Sequence, residues 1–209
     1  MNTPLRAMGY EGVEDLEEFL LDQAKLDKVV AKDIKKQPDL TKSVFEKEAP
    51  RVISHLLVKC ADPENPTEEE KAKMEKVKKA LDDGTSFSKV AKKYSDDTGS
   101  KASGGSLGLK LKSDNLDENF KAAAWELKDG EMSSWVKSQY GYHLILIDEA
   151  DQTKIMKNET YASSINSLVL TNNENMKKQI VWKEAKKLGI KFADKETKKD
   201  LMKFIGVEK

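Results

Sequence analysis

Residues 51–58, Arg51-Val-Ile-Ser-His-Leu-Leu-Val58, read as a β-strand: aliphatic and β-branched residues dominate, Pro50 precedes them, and the Asp62–Pro66 stretch with its two prolines breaks the run. Tyr142 to Asp148 has the same texture, and Leu144-Ile-Leu-Ile147 is apolar on both faces, as in a strand covered on both sides. A short strand, Val136 to Ser138, precedes it through a tight turn at Tyr140-Gly141. Helical patterns fill the interval. Thr67-Glu-Glu-Glu70 is a capping box opening a helix that carries Ala72, Val77, Ala80 and Leu81 inward and stops at Gly84. Ser86 to Tyr94 repeats the pattern with Phe87, Val90, Ala91 and Tyr94. Asp117 caps a third helix through Phe120, Ala124 and Leu127, closed by Gly130. Strands and helices in this mixture predict an α+β unit over residues 51–149.

Outward from that unit the chain is helical. Val13 to Lys36 is amphipathic, with Leu16, Phe19, Leu20, Ala24, Val30 and Ile34 at three- and four-residue spacing. Pro38 ends it, and a turn and helix through Thr41 to Glu48 lead to Pro50. Beyond Asp151, Tyr161, Ile165, Leu168, Val169, Met176, Ile180, Val181, Ala185 and Leu188 fit one long helix, or two with a break near Asn172-Asn173, and Gly189 is the stop. Ile190-Lys-Phe192 reads as a short extended piece before a last helix up to Phe204. Neither flank, 1–50 or 150–209, makes a core alone. The economical architecture packs the two ends into one helical domain with the α+β unit inserted in it.

Lys+Arg and Asp+Glu are equal at 37 each, and 35% of residues are charged. The signs are mixed along the chain, so no basic stripe marks a nucleic-acid partner. The single cysteine, Cys60, excludes an intrachain disulfide and reads as a small core filler. No apolar run approaches the ~20 residues of a membrane span. Met1 to Gly9 has neither a signal-peptide core nor a lipidation cysteine, so the chain reads as cytoplasmic or as one without its targeting segment.

The two histidines, His55 and His143, both fall in strands. Alternation puts His55 on the face of Ile53 and Leu57, and His143 on the face of Ile145 and Ile147. Such a histidine serves either as a hydrogen-bonded core residue or as a site residue, and the long polar loop Ser95–Ser106 adds weight to the second. Two histidines fall short of a metal ligand set, and no nucleophile elbow or phosphate loop is present, so neither metal nor cofactor is expected.

In order along the chain stand Ser-His-Leu-Leu-Val at 54–58, Tyr-Ser-Asp-Asp-Thr-Gly-Ser at 94–100 and Gly-Gly-Ser-Leu-Gly at 104–108. Phe120, Ala123-Ala124, Leu127-Lys-Asp-Gly-Glu-Met-Ser133 and Val136-Lys-Ser-Gln-Tyr-Gly-Tyr-His-Leu-Ile145 follow. These blocks resemble those of the parvulin-type peptidyl-prolyl cis/trans isomerases. The helical flanks more loosely resemble those of PrsA-like lipoproteins, the extracytoplasmic foldases of Gram-positive bacteria. The resemblance implies a four-stranded antiparallel sheet wrapped by helices, with His55 and His143 paired on its floor. It implies Asp97 near the isomerising bond, Ser138 in the histidine network, and Leu107, Leu116 and Phe120 as the apolar pocket for the proline ring. Ser106 stands where Asp is usual, and Trp135 where Pro is typical.

The implied partners are unfolded or partly folded proline-containing polypeptides, with a membrane reached only through a lipid anchor absent from this chain. The amphipathic arms offer a surface for a homodimer. Ala61-Asp-Pro-Glu-Asn-Pro-Thr-Glu-Glu-Glu70 stands where phospho-specific members carry basic residues, and its acidity argues against phospho-dependence. Two functions follow: an isomerase and foldase for secreted proteins, or a binding-only chaperone with a weak or inactive parvulin unit, the reading favoured by Ser106 and Trp135.

Overall fold

The computed structural model describes residues 9, 11–189, 191, 192 and 194–204. They fall into two units, Phe45–Ala162 and Met1–Val44 with Ser163–Lys209.

In the first unit the strands are β1 (Arg51–Lys59), β2 (Ser106–Lys110), β3 (Val136–Ser138) and β4 (Gly141–Glu149). They form one antiparallel sheet in the order β2-β1-β4-β3. The long apolar strands therefore take the centre, where both faces are covered. On one face Leu56, Val58 and Leu144 pack against Val77, Val90 and Ala91, from helices α3 (Glu68–Asp82) and α4 (Phe87–Tyr94). On the other, Ile53, Ile145 and Ile147 pack against Phe120 and Ala124 of α5 (Glu118–Glu126). Each Val, Leu, Ile or Phe side chain among them stabilises the unit by about 1.5–3 kcal/mol on burial.

The helix starts follow the sequence. Thr67 and Glu70 form the capping box of α3, and Asp117 caps α5, accepting from the amides of Asn119 and Phe120. Ala72 is exposed rather than inward. It lies five residues from buried Val77, which turns it to the far side of the helix, and Met74 packs inward instead. Strand β2 was visible only through the resemblance: Gly108 has φ +68° and the β1 pairing shifts register at Ile53/Ser54, so no alternation survives in the sequence. A short helix, α6 (Gln152–Lys157), was also not expected; Asp151 caps it and Ile155 anchors it.

The second unit contains α1 (Val13–Ile34), most of α2 (Pro38–Glu48), most of α7 (Glu159–Thr171), α8 (Met176–Lys187) and α9 (Lys195–Phe204). Pro38 opens α2 rather than only closing α1, since its missing N–H costs nothing at a first helical position. The break at 172–175 separates α7 from α8, as Asn172-Asn173 suggested. Val30, Ile34, Val44, Ile165, Val169, Met176 and Ile180 are buried, and buried Asp33 is held by Lys183 Nζ at 2.8 Å.

Several residues expected to face inward do not. Phe19, Leu20 and Ala24 of α1 are exposed, as are Val181 and Leu188, whereas Trp182 is buried. Trp182 owes this to Phe192, whose ring lies 5.6 Å away. Ile190, the first residue of the expected extended piece, lies outside the described residues. Among the described residues no helix is long and apolar enough to cross a membrane.

Candidate active site

The β1–β4 register opposes His55 to Ile145 and Leu57 to His143. The two histidines are therefore diagonal neighbours on one face of adjacent strands, close enough for imidazoles to meet. Their rings stack with centroids 5.5 Å apart, and Nδ1 of one lies 3.3 Å from Nδ1 of the other. Ser138, on neighbouring β3, places its Oγ 2.7 Å from His143 Nε2. Phe120 meets both rings edge-on, at 5.7 Å from His55 and 5.4 Å from His143.

The polar loop reaches the site because β2 is short. It pairs with β1 only over residues 51–54, leaving the rest of that edge to be satisfied by other groups. The Leu57 amide donates to Ser95 Oγ, the Asp96 amide to the Leu57 carbonyl, and the His55 amide to the Gly105 carbonyl. Gly105 has φ +87°, and a Cβ there would stand 2.1 Å from the His55 carbonyl oxygen, so only glycine lets the loop approach. This anchoring places Asp97 Oδ2 2.9 Å from His55 Nε2.

Ser100 is the participant that sequence reasoning missed. Its Oγ lies 3.1 Å from His55 Nε2, and both its amide and its hydroxyl donate to Asp97 Oδ2. The Asp97-x-x-Ser100 spacing was the available signal, because an Asp side chain commonly accepts from groups two or three residues on.

One proton arrangement satisfies every contact with both imidazoles neutral. The Tyr140 amide donates to Ser138 Oγ, whose hydroxyl donates to His143 Nε2. His143 Nδ1–H then donates to His55 Nδ1, and His55 Nε2–H donates to the Asp97 carboxylate. Reversing the pair would set a lone pair of neutral His55 against that carboxylate. Burial, reinforced by His55, lowers the His143 pKa to about 4. Burial pushes the Asp97 pKa upward, but the hydrogen bonds from Ser100 and His55 outweigh it and hold the carboxyl below its usual value.

Above this floor opens a cleft of about 590 Å³, lined by His55, His143, Asp97, Leu107, Leu116 and Phe120 among others. The structure thus brings together the seven residues singled out in the sequence: six line the cleft, and Ser138 supports His143 from behind. Tyr140, 54% exposed, stands at the rim. Neither unusual position reaches the cleft lining. Ser106 is exposed at the start of β2, and Trp135 packs on the cluster around Leu56 and Val58, on the opposite sheet face. Cys60 is buried, and burial followed by Glu70 raises its thiol pKa, which leaves it a core filler.

Residues 55–149 match the family described as the PPIC-type PPIASE (rotamase) domain. The foldase protein PrsA of Clostridium botulinum (strain Langeland) is 37% identical over 190 residues, covering 84% of this chain and 54% of its own. That of Clostridium kluyveri is 32% identical over 210 residues, covering 88% and 56%. The chain spans about half the length of these curated relatives. Among solved structures, PrsA from Bacillus subtilis is 31% identical, covering 86% of this chain and 68% of its own, with a TM-score of 0.47.

Proposed function

We propose, from the premise that this chain belongs to the PPIC-type peptidyl-prolyl isomerase family and is PrsA-like along most of its length, that it accelerates cis/trans rotation about X–Pro bonds as part of a foldase. The observation that carries this is the hydrogen-bonded His55–His143 pair lying beneath an open apolar cleft walled by Phe120, Leu107 and Leu116.

Amide resonance sets the rotation barrier at ~18–20 kcal/mol. At the twisted transition state that resonance is lost, the nitrogen becomes pyramidal and the carbonyl oxygen gives up part of its negative charge. No bond needs to be broken, so shape and electrostatics suffice. Phe120, Leu107 and Leu116 hold the proline ring and displace water that favours the planar, charge-separated ground state. Among the described residues, the hydrogen bonds to the Asp97 carboxylate converge on Oδ2, which leaves the lone pairs of Oδ1 facing the cleft. Beside the substrate carbonyl, that charge disfavours the resonance form with a negative oxygen. The histidine pair and Ser138 fix Asp97 and the cleft floor. Lowering the barrier by ~4 kcal/mol gives about a thousandfold acceleration.

The substrate is an unphosphorylated peptide segment. Asp97, Asp117 and Glu118 line the cleft, with no lysine or arginine among its lining residues, so a phosphate before the proline is repelled. Exchange NMR on an Ala-Pro peptide and on phosphorylated and unphosphorylated Ser-Pro peptides tests both points. Enzyme-dependent exchange is expected for the unphosphorylated peptides, with the phosphopeptide roughly tenfold slower at low salt. Absence of exchange with every peptide rules out the isomerase, and preference for the phosphopeptide rules out the assigned substrate.

The helical ends, residues 1–50 and 150–209, act in this proposal as a chaperone-like domain that holds unfolded clients. The setting is extracytoplasmic, with the full precursor anchored to the cell membrane by lipid. The exposed apolar side chains of α1, among them Leu20 and Leu21, also offer a surface for a homodimer. Sedimentation velocity over a range of concentrations checks this, and a purely monomeric boundary at 100 times the working concentration removes the dimer.

A further inference from the structure

Residues 48–51 join α2 to β1, and three of them bond to the elements that wall the cleft. The Glu48 carbonyl accepts from the Lys112 amide at 2.7 Å, and its carboxylate Oε2 from the Ser113 amide at 3.3 Å. The Ala49 carbonyl accepts from the Trp125 indole Nε1–H at 2.9 Å. The Arg51 guanidinium donates to the carbonyls of Leu127 and, at 3.1 Å, Trp125. Trp125 and Leu127 lie at the end of α5, the helix that presents Phe120. Lys112 and Ser113 enter the turn that presents Leu116. Within that turn the Leu111 amide donates to the Asp114 carboxylate and the Leu116 amide to the Asp114 carbonyl, each at 3.0 Å. Both walls of the apolar slot therefore hang on one short segment.

That segment carries two costs which call for an explanation. Ala49 has φ +39°, the one positive φ outside glycine among the described residues, and such backbone persists only where its surroundings over-determine it. Glu48 is 7% exposed, and a carboxylate so placed must be compensated by hydrogen bonds or charge. Ser113 supplies the main compensation and Lys47 Nζ, at 3.7 Å, a lesser one.

We propose that Glu48 is a positioning residue for the proline slot: by fixing Lys112 and Ser113 it sets where Leu116 stands in the cleft wall. This rests on the isomerase reading above. A loosened wall weakens contact with the ring in ground and transition states alike, so KM rises while kcat holds.

The test measures kcat and KM on an Ala-Pro peptide for the full chain and for Glu48→Ala, Glu48→Gln, Leu116→Ala and the Glu48→Ala/Leu116→Ala double variant. All are assayed at a temperature where circular dichroism shows them folded. Glu48→Ala is expected to raise KM about fivefold with kcat within about twofold. Glu48→Gln, whose amide oxygen still accepts from Ser113, stays within about twofold of the parent. The double variant is no worse than Leu116→Ala alone, because both changes act on the same wall. Should Glu48→Ala not fold, Glu48→Asp, one methylene shorter, takes its place in the cycle with the same expected coupling. An active parent whose KM does not respond to Glu48→Ala, or in which the Glu48→Ala and Leu116→Ala effects multiply, overturns the proposal alone. An inactive parent overturns the isomerase reading with it.

Discussion

Replacing Phe120 with alanine is expected to lower kcat/KM on an Ala-Pro peptide about 100-fold, the equivalent of about 2.7 kcal/mol of transition-state stabilisation. The ring has two tasks. It forms part of the slot for the pyrrolidine ring, and its edge contacts with both imidazoles hold them in the orientation that aims His55 Nε2 at Asp97. Phe120 is also 4% exposed and packs with Ile53, Ala124, Ile145 and Ile147, so truncation costs stability as well. Buried Phe→Ala changes cost about 3–5 kcal/mol. The low end applies here because the space vacated opens onto the cleft, where water can enter. Phe120→Leu keeps most of the apolar volume and is expected to lose only about tenfold. Urea unfolding and peptide exchange measured on the same samples separate the two effects. A folded Phe120→Ala protein with parental kcat/KM would mean that the proline ring binds elsewhere.

The second large effect concerns pH. The folded-state pKa of His143 lies at about 4, against 6.5 for an unperturbed histidine, because burial and then the neighbouring His55 oppose its charged form. Above pH 6.5 folded and unfolded chains both carry it neutral, and its contribution to stability is fully present. As pH falls from 6.5 towards 4, the unfolded chain takes up a proton that the folded chain refuses. Stability is therefore lost over that window, by about 3 kcal/mol in all. The lowered Asp97 pKa acts in the same direction but at lower pH, as the carboxylate protonates below its ordinary range. Two observations check this: the His143 Hε1 resonance titrates near 4, and the unfolding free energy falls between pH 7 and pH 4.5. His143→Gln removes most of that fall while leaving an acceptor or donor for Ser138. A resonance titrating near 6.5 would contradict the neutral-pair account.

The sequence revealed the sheet and the residue types on its faces far better than it revealed their meeting. Alternation along β1 and β4 put His55 with Ile53 and His143 with Ile145, and both histidines do lie on that shared side. Their contact, however, depends on a register between strands whose residues are 88 positions apart, and alternation within one strand says nothing about register with another. Only the parvulin resemblance supplied it. Ser100 shows the same limit at shorter range. Its loop read as polar and irregular, yet backbone bonds to the unpaired edge of β1 fix it under His55. The α1 helix fails differently. Its pattern identified an apolar stripe correctly, but a stripe does not disclose how much of it the chain itself covers, and only the end around Val30 and Ile34 is buried. Trp182 went unnoticed because a residue outside the helical period, Phe192, covers it.

The most direct measurement is the refolding of a protein whose slow phase is limited by a single X–Pro isomerisation. With this chain at micromolar concentration, the slow-phase rate constant should rise in proportion to its concentration, and Phe120→Ala at equal concentration should leave the phase almost uncatalysed. A slow phase that keeps its spontaneous rate at every concentration of the unaltered chain would contradict the claim that the His55–His143 floor and its apolar cleft form a working isomerase.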